Sequence, residues 1–446
     1  MDAGNVGSMD AGVTRLERLR LARAERPALT SFLGVFSATL LCFLAIGAVL
    51  PVLPRYVKGP LGASDVAVGI VVGAFALTAF VGRPIGGRLA DVRGRKWVHM
   101  VGLTICAVAG SMLFLPLGVA GLIFARLVIG FGDGWVFTAG VTWVVDLAPE
   151  DRRGQAIGIF GLAIWGGLTF GALIGEGAYA LGGYDAVWAF ATLAPMAGLL
   201  VARAIEPGPG VVDGSAHTDA EELEADALVG IRSERASPAR ARAARTRLRA
   251  RLRSIGSFVP APAVRPGLAL ALANVGYGTM AAFVVLLLDK RGIGSGATVF
   301  IVFAGTVVAS RLLLGTLPDR IGPRRSAFGA GSAQACGLAM VGVAQSFPVA
   351  LVGAAVMGTG MSLLFPSLAL LVTRQVDDER RGAALGAFTA FFDLGVGLGA
   401  PFAGLVASMG GGEHYPAAFY AAAVCCLAGA LLGYVSSRSV PEAHAL

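Results

Sequence analysis

The chain has 446 residues, 56% hydrophobic and 14% charged, with a net charge of +8 and a mean hydropathy of +0.73. A soluble chain of this length would divide into about three domains of roughly 150 residues. Recurrent apolar runs exclude that, because about 20 apolar residues suffice to cross a bilayer, and the basic residues between the runs read as membrane topology rather than as a nucleic-acid surface.

Residues 1–29 form a polar tail with Arg15, Arg18, Arg20, Arg23 and Arg26. The next apolar run has no small-residue cleavage site, so it is expected to be a retained helix and not a signal peptide. Six predicted spans follow, at 30–54, 65–88, 97–117, 119–145, 154–181 and 186–205, giving a first bundle over 30–205. A linker over 206–262 opens with EPGPG, passes an acidic stretch from Asp219 to Asp226 and ends in RARAARTRLRARLRSIG. The acidic part suits disorder. The basic part suits a surface helix with Ala244, Leu248, Leu252 and Ile255 on one face, able to bind anionic headgroups; a plain basic linker is the alternative. Six more spans, at 265–288, 296–317, 325–345, 347–373, 382–408 and 415–436, give a second bundle over 263–436, followed by a tail, 437–446.

Backbone facing lipid must satisfy its own hydrogen bonds, so these runs are expected to be helices. The predicted class is an all-α membrane protein with twelve transmembrane helices in two six-helix, pseudo-symmetric halves. Basic residues cluster in the tails, the linker and every second loop, which predicts cytoplasmic termini in a multi-pass protein of the bacterial inner membrane. Cys42, Cys106, Cys336, Cys425 and Cys426 fall inside spans and are expected to be buried small hydrophobes.

The halves repeat. A shift of 228 residues carries Arg83 onto Arg311, Gly87 onto Gly315, Asp91 onto Asp319 and Gly94 onto Gly322. The same shift carries DRRGQAIGIFG (151–161) onto ERRGAALGAFT (379–389), and Gly130 and Gly132 onto Gly358 and Gly360. A constant offset over three separated segments implies two parallel repeats.

The loop stretch GGRLADVRGRK (86–96) and its counterpart GTLPDRIGPRR (315–325) share G-x-L-x-D-x-x-G-x-[KR]. On this doubled motif, over about 30–436, the chain resembles the major facilitator superfamily of secondary transporters, in particular drug:proton antiporters. Val92 and Pro323 depart from the family pattern. The resemblance implies a cytoplasmic gate formed by Gly87, Asp91, Gly94, Arg95, Gly315, Asp319, Arg320, Gly322 and Arg324. Physically, Gly87 and Gly315 would let helices approach, and Gly94 and Gly322 would permit tight turns. Asp91, at a helix C-terminus that disfavours an anion, needs a cation from its own loop or the other half.

Three further constellations lie within spans. In ARLVIGFGDG (125–134), Arg126 and Asp133 are seven apart on one helix face and could pair; the family ties this Arg to proton coupling, and a charged residue at this depth usually faces a cavity or partner. Gly158, Gly167, Gly171 and Gly175 fit the family's antiporter motif apart from Ala172 and Glu176, and are expected to form a helix-packing face with Gly395 and Gly399 as repeat counterparts of Gly167 and Gly171. Glu176, near the outer surface, is either a coupling acid or simply solvated. Asp393 lies mid-bilayer with no cation nearby in sequence. Asp133 and Asp393 are therefore the leading proton or substrate-cation sites. Trp135, Trp165, Asn274, Tyr277, Phe391 and Phe392 are candidate cavity-lining groups, with helix packing as the alternative for each aromatic.

No phosphate-binding loop appears, so no ATP-driven pump and no cofactor is expected. The expectation is a monomeric, non-enzymatic transporter in contact with membrane lipids. It would use the proton gradient to export a small, largely apolar compound, neutral or cationic, such as a drug. A sugar or metabolite carrier and a lipid transporter are the alternatives.

Overall fold

The computed structural model describes residues 15–149, 152–205, 261–376 and 381–435. The predicted basic surface helix at 244–255 and the tail 437–446 lie outside the described residues.

All regular structure among the described residues is helical. The helices are α1 (Arg15–Val49), α2 (Leu53–Lys58), α3 (Asp65–Arg93), α4 (Arg95–Met112), α5 (Gly118–Leu147), α6 (Arg153–Ala204), α7 (Ala261–Arg291), α8 (Gly296–Leu314), α9 (Leu317–Ile321), α10 (Pro323–Val343), α11 (Phe347–Thr373), α12 (Arg381–Ser408) and α13 (Tyr415–Val435). Among the described residues, ten helical stretches are long and apolar enough to cross a membrane. One of them, α6, is broken at Gly182 and Gly183, whose φ of 63° no β-branched residue would tolerate, and Tyr179 touches Tyr184 across the break. With α6 counted as two crossings, and with α4 (18 residues) packed against α5 and α6, the helices make twelve crossings.

Helices α1 to α6 pack mainly on one another, as do α7 to α13. Repeated glycines bring backbones together at matching places. A side chain at Gly130 would strike the Phe75 carbonyl on α3, and one at its counterpart Gly358 would strike the Phe303 carbonyl on α8. Of the cysteines, Cys42, Cys106 and Cys426 are buried, whereas Cys425 is half-buried and Cys336 is exposed on the surface of α10. Sequence does not reveal which way a helix face points in a bundle, and an apolar side chain loses nothing by facing lipid.

Two seams join the halves. Along the first, α3 lies against α12 with glycines at the contact: a Cβ at Gly69 would meet the Ala400 carbonyl, at Gly73 the Gly397 carbonyl at 2.9 Å, and at Gly404 the Asp65 carbonyl at 2.5 Å. Along the second, α6 lies against α8, and the contacts are looser: Cβ positions at Gly305 and Gly161 come 3.6 Å from Thr169 and Arg311 respectively.

Candidate functional site

The two loop motifs mark one face of the molecule. Gly94 and Gly322 share the same backbone, φ 87° with ψ 146° and 142°, a region open to glycine alone. The expectation for Gly87 needs correction. A Cβ there would make an ordinary 3.5 Å contact with Thr138, whereas at Gly86 it would press on Trp135 at 2.9 Å. The close approach thus belongs to Gly86. Gly315 also meets only its own chain, the Arg311 carbonyl. Asp91 is 72% exposed and faces Arg95 at 4.0 Å; Arg95 also ion-pairs with Asp146 and donates to the Thr142 carbonyl. The cation for Asp91 is therefore in its own loop. Asp319 and Arg320 are exposed, and Arg324 stacks on Tyr434 at 4.0 Å.

At the far face the halves are tied by charge. Arg55 on α2 holds Glu176 on α6 at 2.8 Å and Asp289 on α7 at 3.1 Å. Asp65, 2% exposed, accepts from Lys58 (2.6 Å), the Glu413 backbone N–H (2.8 Å) and the Tyr415 hydroxyl (3.3 Å). Glu413 in turn faces Lys290 at 3.1 Å. Glu176 is thus not simply solvated: it is the anion of an ion pair. Asp65 went unnoticed in sequence because it reads as an ordinary first-turn acid after the N-cap Ser64.

Between the two faces lies a buried charge cluster. Arg83 on α3 binds Asp393 on α12 through two bonds, Nε to Oδ2 at 2.7 Å and Nη2 to Oδ1 at 3.1 Å, and sits 3.6 Å from Asp133 on α5. Both acids are buried, and Asp133 Oδ1 and Arg83 Nη1 have no hydrogen-bond partner. Asp393 is therefore not unpaired, as its local sequence suggests; its cation is 310 residues away in the chain. The Arg126–Asp133 pairing expected from helical spacing also does not form. Arg126, 1% exposed, donates to the Val71 and Val72 carbonyls (3.2 and 3.3 Å) and lies 4.7 Å from the Phe75 ring, which ties α5 to α3. Arg83 carried a signal in sequence, a cation inside an apolar run matched by Arg311 in the repeat, but no motif pointed to its partner.

The candidate lining groups divide. Trp165 of α6 meets Tyr277 of α7 at 6.1 Å, edge to face across the halves, and Tyr277 meets Phe303 and Phe392 at 6.0 and 6.3 Å. Trp165 and Tyr277 meet across the interface between the halves, and Phe392 directly precedes Asp393 in the chain. Trp135 instead packs on Gly86 and Phe131 within the first half, and Phe391 packs on Gly267 within the second. Asn274 donates to the Leu270 carbonyl of its own helix, while its Oδ1 is buried without a partner. Gly167, Gly171 and Gly175 do form a packing face, against Phe43, Leu44 and Ala48 of α1, and Gly395 and Gly399 pack on Ala271 and Val275 of α7. Gly158 has open space where a Cβ would go and belongs to no such face.

Comparison with known proteins bears on the family and the fold. A sequence model of the Major Facilitator Superfamily matches residues 35–376 and, in a second match, 254–445. An uncharacterized MFS-type transporter of Salmonella typhimurium is 32% identical over 412 residues, covering 91% of this chain and 96% of the relative. One from Burkholderia mallei is 32% identical over 412 residues, covering 90% and 91%. Among solved structures, the nucleoside transporter NupG superposes with a TM-score of 0.70 at 14% identity over 92% of this chain and 100% of its own. The human organic anion transporter MFSD10 gives 0.63 at 20% identity, over 91% and 99%. At such identities the likeness is one of fold. The chain is an integral membrane transporter rather than an enzyme, and it belongs to the major facilitator superfamily.

Proposed function

We propose that the protein is a proton-coupled secondary transporter, exporting a small, largely apolar compound across the bacterial inner membrane by alternating access, as a monomer with cytoplasmic termini. The observation that carries this reading is the position of Arg83 between two acids, one in each half. Its bonds to Asp393 cross the seam, and Asp133 waits 3.6 Å away on its own side. A proton delivered to Asp393 removes the charge that holds the seam bond, and Arg83 then keeps an anionic partner in Asp133. The guanidinium is never left bare in a dry interior, where an unpaired charge is costly. Loss of the proton restores the bridge. A proton gradient can in this way bias one arrangement of the halves over the other.

Far-face ties between the halves, from Arg55 to Asp289 and from Asp65 to Glu413 and Tyr415, support a state closed at that face and open at the motif face, which the positive-inside rule favours as the cytoplasmic one. Export is supported by the glycine face of α6, which follows the family's antiporter motif at Gly167, Gly171 and Gly175. A cationic substrate could reach Asp393 only by displacing Arg83.

The test is pH-gradient-driven efflux from proteoliposomes, assayed with a panel of apolar dyes. Asp393→Asn and Asp133→Asn should each abolish the dependence on the gradient, with any residual flux becoming downhill only. Wild-type coupling in both variants would reject the mechanism.

A further inference from the structure

We infer that Arg311 is the anchor for an anionic group on the substrate, so that the transported compound is an amphiphilic carboxylate or similar monoanion with an aromatic or apolar body. The inference rests on the transporter reading above.

The repeat makes the case. Arg311 on α8 is the counterpart of Arg83 on α3, 228 residues on. Arg83 is held by Asp133 and Asp393. The same shift places Met361 where Asp133 stands and Trp165 where Asp393 stands. Both carboxylates that neutralise Arg83 are therefore replaced by uncharged side chains around Arg311. The one hydrogen bond from the Arg311 guanidinium goes to the Ser362 backbone carbonyl at 3.4 Å, and among the described residues no carboxylate oxygen comes within 4.0 Å of it. The hydroxyl of the same Ser362, 1% exposed, is buried without a hydrogen-bond partner. The acids at the motif end of the first half, Asp91 and Asp146, both face Arg95.

Charge balance points the same way. Among the described residues, Arg83 faces Asp133 and Asp393, Arg126 donates to backbone carbonyls, and Arg311, half-buried in the last turn of α8, faces no carboxylate. A half-buried cation without a counter-charge is costly. A bound monoanion would cancel it. Apolar surface is at hand. Arg311 Nη1 lies in ordinary contact with Gly161 on α6, 3.6 Å from where a Cβ would stand, so the guanidinium faces a glycine and not a side chain. One helical turn further along α6 stands Trp165, the start of the ring series through Tyr277 to Phe392. A planar anion could pair its carboxylate with Arg311 and lay its ring against Trp165.

Binding of 1-naphthoate, the matched neutral 1-naphthamide and the cation 1-naphthylmethylammonium to the detergent-purified full chain, by calorimetry at one fixed pH, tests this. Naphthoate should bind at least tenfold tighter than the amide and the cation. Arg311→Gln should erase that preference, and Arg311→Lys should keep part of it. Gly161→Asp, which supplies an internal counter-ion, should also erase it while leaving Arg311 in place, so the test survives a poorly folded Gln variant. No saturable naphthoate binding, equal binding of acid and amide, or a preference that persists in Arg311→Gln or Gly161→Asp would overturn the assignment. No proton gradient enters this measurement. Naphthoate that binds through Arg311 but is not moved by a gradient would sink the coupling mechanism and leave the anion site standing.

Discussion

Arg83 shows how a single residue can link distant parts of the chain. It serves Asp393 and Asp133 at once, so its loss leaves two buried acids without a cation. Removing one partner of a buried ion pair costs about 3–5 kcal/mol, far more than removing the pair together. Arg83→Leu should therefore lower the thermal unfolding midpoint of the purified protein strongly, and Arg83→Leu with Asp393→Leu should recover much of the loss. Equal midpoints for the single and double variants would mean that the two residues are not coupled. The acids themselves were legible in sequence, because a carboxylate inside an apolar run is conspicuous. Their partner was not. Helical periodicity reports neighbours within a turn or two, and it pointed from Asp133 to Arg126; the bond that forms depends on how α3, α5 and α12 meet in space.

At the scale of elements, the glycines carry the packing, and their spacing was the most readable feature of the chain. Gly167, Gly171 and Gly175 fall on the side of α6 that meets α1. Gly158 belongs to the same motif in sequence yet faces open space, because motif spacing does not say how far the partner helix extends. The two behave oppositely on substitution. Gly171→Leu should block the α1–α6 contact and abolish folded yield, since even modest overpacking costs about 1–3 kcal/mol. Gly158→Ala should be neutral or stabilising by up to about 1 kcal/mol, through reduced freedom of the unfolded chain. Size-exclusion profiles and unfolding midpoints distinguish these outcomes. The loop glycines answer to a different constraint. Gly94→Ala and Gly322→Ala should each cost about 1–3 kcal/mol whatever the surroundings, because the backbone there suits only glycine.

For the whole molecule, the far-face charges act as a closure. Asp65 gathers Lys58 from its own half with the Glu413 backbone and Tyr415 from the other, and Arg55 reaches Asp289. Asp65→Asn should weaken this closure and shift the population toward closure at the motif face. Spin labels at positions 93 and 321, both exposed in the motif loops, should then report a shorter distance distribution. An unchanged distribution would show that these bonds do not set the balance. The twelve crossings and the repeat were apparent from hydropathy and a constant offset. Which seam closes at which end was not, because it depends on bonds between residues hundreds of positions apart.

The two seams themselves are unequal. Backbone meets backbone along α3 and α12 at Gly69, Gly73 and Gly404, whereas α6 and α8 touch at ordinary distances. A body joined this way is expected to part more readily along α6 and α8 than along α3 and α12, where opening must wait on the Arg83–Asp393 bond, and Arg311 and Trp165 stand beside the looser seam.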